Sequence, residues 1–274
     1  MSRPSRRQHY IARFYLRNFS EPPLSDSLCV YDLRKRRWER RTPLGVGWFP
    51  HLCSETQMDG TRSDAFDQFL KLKVEDPAAP ALRKLASGAC LDASERAAIS
   101  MFIALTAARS PRQIAAVVDR HLAKLTNADR VELDASVRLW CECTGTRLDS
   151  KAYGEFLKPS SFGAIWAWSI NLHMRLLQWE WRLVHTTRES PFITSDRPVL
   201  AQWDKRQDVR LVTFPISSEV ALVIFSGGQF NEGRCRSIET RSMNCGTMER
   251  ATDFVVSCNQ TFPGADLLAS QRVS

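Results

Sequence analysis

The chain has 274 residues, 43% of them hydrophobic and 25% charged, with a formal net charge of +8, proportions of a folded protein rather than a disordered one. No apolar run approaches the roughly 20 residues of a membrane helix, and the opening MSRPSRR is not followed by the apolar stretch of a secretory signal, so the expected location is the cytoplasm, without membrane attachment. A phosphate-binding loop, a Gly-x-Ser-x-Gly elbow, a dinucleotide fingerprint and a His-Glu-x-x-His motif are all missing, so nothing points to the enzyme classes they mark.

The charge is unevenly placed. Residues 1 to 41 carry eleven Lys and Arg against four Asp and Glu, which leaves the rest of the chain near neutral. Such a gradient suits an anionic partner at the N-terminal end, RNA or DNA being the commonest, and suits equally a solvated, solubilising face. Eight cysteines follow no regular framework, and the Cys141-Glu142-Cys143 pair lacks the spacing of a structural zinc site, so free thiols are expected.

In chain order, the stretch QHYIARFYLRNF over Gln8–Phe19 comes first. A helix starting near Ala12 would put Tyr15, Leu16 and Phe19 on a core face and Arg13 and Arg17 on a basic one, with His9 and Tyr10 in extended chain just before it. Pro22 and Pro23 stop any helix there. Leu28–Leu33 and Arg37–Thr42 then read as strands around an Arg34-Lys35-Arg36 turn, a basic hairpin carrying Tyr31 and Trp38. Arg34, Lys35, Arg36, Arg37 and Trp38 are the candidate nucleic-acid contacts, since aromatic rings among arginines suit bases and phosphates, although such rings also pack on cores.

A helical middle follows. Phe66, Phe69 and Leu70 give helical spacing over Asp64–Leu72, and Asp92 with Glu95 has the separation of a capping box ahead of a central helix over Ala97–Ala108, with Ile99, Phe102, Ile103 and Thr106 on one face. Pro111 marks a restart into Ile114–Leu125. A weaker helix is expected over Glu132–Cys143. Another, Phe162–Gln178, is apolar almost all round and should be buried. From Trp181 the period shortens. Arg182–Thr187, Pro191–Thr194, Val199–Trp203, Arg210–Phe214, Val220–Phe225 and Asp253–Ser257 read as strands, with a helix near Ile238–Arg250. The expected class is therefore α+β in a single domain over residues 1–274: a basic N-terminal hairpin segment (1–50), a helical part (62–180) and a mainly antiparallel C-terminal sheet (181–260).

Two stretches are too polar for their apolar surroundings. One is the opening segment, where His9, Tyr10 and Arg13 can face a cleft. The other is Pro191–Val199, in which Thr194, Ser195 and Asp196 follow Phe192 and Ile193, and Pro198 keeps Arg197 extended. An Asx or Ser turn, with Asp196 bonding backbone amides, explains the second equally well.

Gln8-His9-Tyr10-Ile11-Ala12-Arg13-Phe14-Tyr15-Leu16 together with Ile193-Thr194-Ser195-Asp196-Arg197-Pro198-Val199 resembles the hallmark of a large, mainly bacterial family catalogued as a domain of unknown function, DUF4238. Its members open with His-Tyr-x-Pro and carry a later Thr-Ser-Asp-Asn-Pro. The resemblance extends to a helical acid, here Glu75, and to an arginine before Ser or Thr and proline, here Arg109-Ser110-Pro111. Ala12 replaces the usual proline and Arg197 the usual asparagine. The resemblance implies an α+β fold and a shared polar site.

Residue chemistry supplies the rest. His9, Asp196 and Glu75 are the candidate acid–base groups, with Tyr10, Arg13, Arg109, Thr194 and Ser195 as candidate substrate contacts. If they converge, phosphodiester hydrolysis fits the basic front end, as in a ribonuclease effector of bacterial defence or a toxin system. A divalent metal such as Mg²⁺ could sit between Asp196 and Glu75, although nothing in the pattern demands one. The alternatives are a non-catalytic module binding nucleic acid or a protein encoded in the same operon, and a small-molecule hydrolase or transferase using the same pocket. Glu75 before Asp76-Pro77 also reads as a group at a helix end, Arg109 as a partner for carbonyls near Pro111, and His9 as a structural hydrogen bonder.

Overall fold

The structure, a computed structural model, describes residues 6–21, 25–203, 209–226 and 240–270. Pro22, Pro23, Arg3 and Cys235 lie outside these, as do the first two residues of the helix expected over Ile238–Arg250.

The first segment is a short strand, Arg7–His9 (β1), and one helical turn, Arg13–Leu16 (α1), extended by a 3-10 turn at Arg17–Phe19. Tyr15, Leu16 and Phe19 are fully buried, as their spacing requires. The basic hairpin forms from Leu28–Asp32 (β2) and Arg37–Arg41 (β3), with Arg36 in the left-handed region at φ 52°. Trp48–Pro50 (β4) returns to pair with β1, and Glu55–Thr56 (β5) pairs with Arg62–Ser63 (β6); the sequence held no sign of these short pairings.

Ala65–Leu70 (α2) passes through a π-helical turn, Lys71–Glu75, into Asp76–Ala86 (α3). The helix therefore does not end at Leu72, and Glu75 sits inside the helical run, not at its end. The i→i+5 turn opens room for the ring of Pro77 in the first turn of α3. Ala93–Ala108 (α4) starts at the capping box: Asp92 accepts from the Glu95 amide at 2.8 Å, and Glu95 accepts from the Asp92 amide at 2.8 Å. Pro111–Ala123 (α5) restarts after Arg109, with Ser110 as its N-cap. Asn127–Thr144 (α6) opens on a second capping box, Thr126 with Asp129, and stops at Gly145 in the left-handed conformation, φ 68°.

Ser150–Gln178 (α7) starts about three turns before the apolar pattern predicts. It packs on α4 and α5. Its far side is uncovered, leaving Ile170 and Met174 at 38% and 51% exposure, and Trp168 stands 42% exposed on the side toward α5, so the expectation of a helix buried on most sides is corrected. No helix among the described residues is long and apolar enough to cross a membrane.

Two four-stranded antiparallel sheets close the structure. Glu180–His185 (β7), Leu200–Trp203 (β9), Val209–Pro215 (β10) and Val220–Phe225 (β11) run in the order β7-β11-β10-β9. The second sheet joins distant parts of the chain. Thr194–Ser195 (β8) and Phe254–Ser257 (β12) extend the hairpin in the order β3-β2-β12-β8. Thr240–Arg250 (α8) precedes β12. One apolar cluster takes Tyr15 and Phe19 from the opening segment, Phe102 from α4, Phe162 from α7, Phe214 from β10 and Val256 from β12. The architecture is α+β, with a helical middle and antiparallel sheets toward the C-terminal end.

Candidate acid–base site

Strand pairing sets the opening motif. Gln8 lies opposite Phe49 and His9 opposite Trp48. The Tyr10 amide donates to the Gly47 carbonyl at 2.8 Å. Gly47 has φ +66°, and a Cβ there would stand 2.9 Å from Ile11 Cβ, so only glycine fits this approach. Gln8 is buried and matched on both sides, accepting from the Cys53 amide at 2.7 Å and donating to Ser54 Oγ at 2.8 Å.

His9 is half-buried, and its Nε2 has no hydrogen-bond partner among the described residues. Burial lowers its basicity below the ordinary histidine value, and the nearby Arg13 guanidinium adds to this, while the Pro43 and Leu44 backbone and the Glu75 carboxylate oppose it. At neutral pH the ring is held neutral, and its unmatched Nε2 is itself buried. Arg13 itself is exposed on α1.

Glu75 is ion-paired with Arg109, whose side chain is only 4% exposed. The Arg109 Nε donates to the Tyr10 carbonyl at 3.0 Å. This guanidinium therefore ties the π-helical turn to the opening motif. Asp67, on α2, completes the group. Burial, reinforced by Glu75 and opposed by Arg109, pushes its carboxyl up to about 6. The neighbouring Cys53 thiol is pushed up to about 12 by burial, which rules out a ready thiolate.

The second motif is held differently. Thr194 Oγ1 pairs with the Tyr15 hydroxyl at 2.8 Å, and that hydroxyl also donates to the Pro215 carbonyl at 2.9 Å. Ser195 Oγ accepts from the Arg197 amide at 3.1 Å. Asp196, 3% exposed, accepts from the Thr252 amide at 2.9 Å and from the Thr252 hydroxyl. Burial raises its carboxyl above the usual range, and those donors oppose the rise. The two motifs meet at Tyr10, whose backbone holds Arg109 while its phenol, raised by burial, feels the Asp196 and Asp253 charges.

The structure thus groups His9, Glu75 and Arg109, adds Asp67, and places Thr194, Ser195 and Asp196 in a separate network of internal hydrogen bonds. Asp67 was missed in the sequence, yet Asp67, Lys71 and Glu75 recur every four residues, the spacing of one helical face. Among the described residues no three His, Cys, Asp or Glu side chains gather to hold a metal ion. Both Asp196 oxygens are engaged by Thr252 and Glu75 Oε1 by the Arg109 cation, so the donor set does not fit an ion between them.

The hairpin cations have acidic partners. Arg34 pairs with Asp253 at 2.9 Å, Lys35 and Arg37 with Glu39 at 3.0 and 2.9 Å, and Arg41 with Asp32 at 2.7 Å. The Arg41, Lys35 and Arg37 side chains draw the Glu39 carboxyl down to about 2. Arg36 is exposed at the turn. Trp38 packs edge-on against Tyr31 and Phe262, with centroids 5.3 and 6.2 Å away.

No curated protein and no solved structure is significantly similar to the chain. A family model described as "Protein of unknown function (DUF4238)" matches residues 7–261, nearly the whole length, and so takes in the opening segment, the helical middle and β12 alike. The protein therefore belongs to the DUF4238 family.

Proposed function

We propose that this protein is a phosphodiester hydrolase whose proton transfers run through His9 and Asp67. The observation that carries the reading is the half-buried His9, its Nε2 unpartnered among the described residues, beside a carboxylate fixed by a buried guanidinium. A neutral imidazole takes the proton of the attacking water as its oxygen bonds to phosphorus. Asp67, protonated up to about pH 6, gives its proton to the leaving oxygen as the P–O bond breaks. Arg13, exposed beside His9, supplies the charge for a phosphate oxygen. Arg109 is a positioning residue: buried and paired, it orients Glu75 and the Tyr10 backbone. In RNA the 2′-hydroxyl can stand in for water, which makes RNA the substrate class needing least from the protein.

The test is turnover of bis-p-nitrophenyl phosphate and of a labelled RNA oligomer, with and without Mg²⁺. Wild type should cleave, and His9→Ala should lose about a hundredfold or more in kcat. Asp67→Asn should flatten the limb of the pH profile near 6. A folded wild type that cleaves neither substrate, or a His9→Ala variant as active as wild type, overturns the reading.

A further inference from the structure

A cavity of about 600 Å³ opens where α5 and α7 face the segment after β8, and His9, Asp67 and Glu75 take no part in its lining. That volume suits a drug-sized ligand. Val117, Leu157, Leu172 and Val209 give it apolar walls, and the indole of Trp168 adds a flat face. The charged groups in its lining are strongly one-sided. Arg120 stands on α5 and Lys124 caps its end, Arg197 follows β8 and Arg250 ends α8; Asp196, already held by Thr252, is the one carboxylate in the lining among the described residues, while Glu249, outside the lining, also acts on Arg250.

Two details give this charge a direction. Arg250 donates to the Ala201 carbonyl at 2.7 Å, so its guanidinium is fixed, and Arg197 is near enough for its charge to act on it. Like charges held together repel unless an anion lies between them. Independently, Thr106 lines the cavity on α4, is 5% exposed, and its Oγ1 has no hydrogen-bond partner among the described residues. A helical threonine hydroxyl ordinarily bonds back to a carbonyl of the preceding turn; this one is left available to a ligand.

We propose that the cavity binds a small flat anion, its aromatic or heterocyclic body against Trp168 and Val117 and its phosphate, sulfonate or carboxylate between Arg197 and Arg250. The apolar walls recognise the body, and the paired guanidiniums recognise the anion. The site is separate from the proposed proton-transfer groups.

Fluorescence titration of the full chain with 8-anilinonaphthalene-1-sulfonate tests it, with N-phenyl-1-naphthylamine as the uncharged control. The sulfonate should bind saturably at one site. Arg197→Gln should weaken it tenfold or more while leaving the uncharged dye within about twofold. Ala164→Trp, at an exposed point of α7 on the cavity wall, should abolish binding of both dyes without lowering Tm. His9→Ala should bind as wild type does, which keeps this result apart from that of the hydrolase assay. Absence of saturable binding to folded wild type, or affinity unmoved by both Arg197→Gln and Ala164→Trp, overturns the proposal.

Discussion

Asp67 shows how a single carboxyl can be useful to chemistry and harmful to stability. Its folded value of about 6 lies above the ordinary 3.8, so the folded chain binds this proton more tightly than the unfolded chain does. Stability therefore falls as pH rises between those values, and the penalty is complete above about pH 7. Asp67→Asn should be more stable than wild type at pH 8, by on the order of 1 to 2 kcal/mol once partial solvent screening is allowed for. The gap should close toward pH 4, and paired thermal melts across that range measure it. A constant difference at every pH would mean that desolvation of this carboxyl is not what the substitution relieves. The same variant should be impaired in hydrolysis, the trade expected of a strained functional group.

At the scale of elements, the π-helical turn is what brings Glu75 to Arg109. A buried pair of this kind is weak support for stability while intact, yet harmful when half removed. Glu75→Ala should cost about 3 to 5 kcal/mol because it strands the Arg109 charge, whereas Glu75→Leu combined with Arg109→Met should cost less than that single change. Urea unfolding with an unchanged m-value is the measurement. This turn also marks where sequence reading failed. Regular elements were legible: Asp92 and Glu95 announced α4, and Ile99, Phe102 and Ile103 announced its buried face. The run past Leu72 was not, because Lys71-Leu72-Lys73-Val74-Glu75 alternates and Asp76-Pro77 looks like a stop, while a turn of wider pitch has no simple periodic signature. Asp67 was hidden for a related reason. Its raised proton affinity arises only once burial and the Glu75 charge surround it, against the opposing pull of Arg109. The opening motif was legible as residues, but its pairing with β4 was not, since three-residue strands carry no pattern. Of the second motif, the sequence left open whether Asp196 was a site or a local turn bonding the backbone; its contacts run instead to the amide and hydroxyl of Thr252, 56 residues along the chain, which neither pattern announced.

For the whole molecule, the positive N-terminal end is less available than composition suggests. Asp32, Glu39 and Asp253 gather around the hairpin cations. Replacing Arg34, Lys35 and Arg37 together by Gln should therefore change RNA affinity at low salt by less than about threefold, as read by filter binding, and should loosen the hairpin instead. A tenfold or larger fall, with a flatter salt dependence, would favour the rival reading of a nucleic-acid module. The hairpin's place in the second sheet also has a bearing on biosynthesis. β2 emerges early, but its neighbour β12 lies more than two hundred residues later. At translation rates of 5–20 residues per second, the nascent hairpin waits roughly 10 to 40 s with one edge unpaired. In that interval the newborn chain is a natural client for a ribosome-associated chaperone.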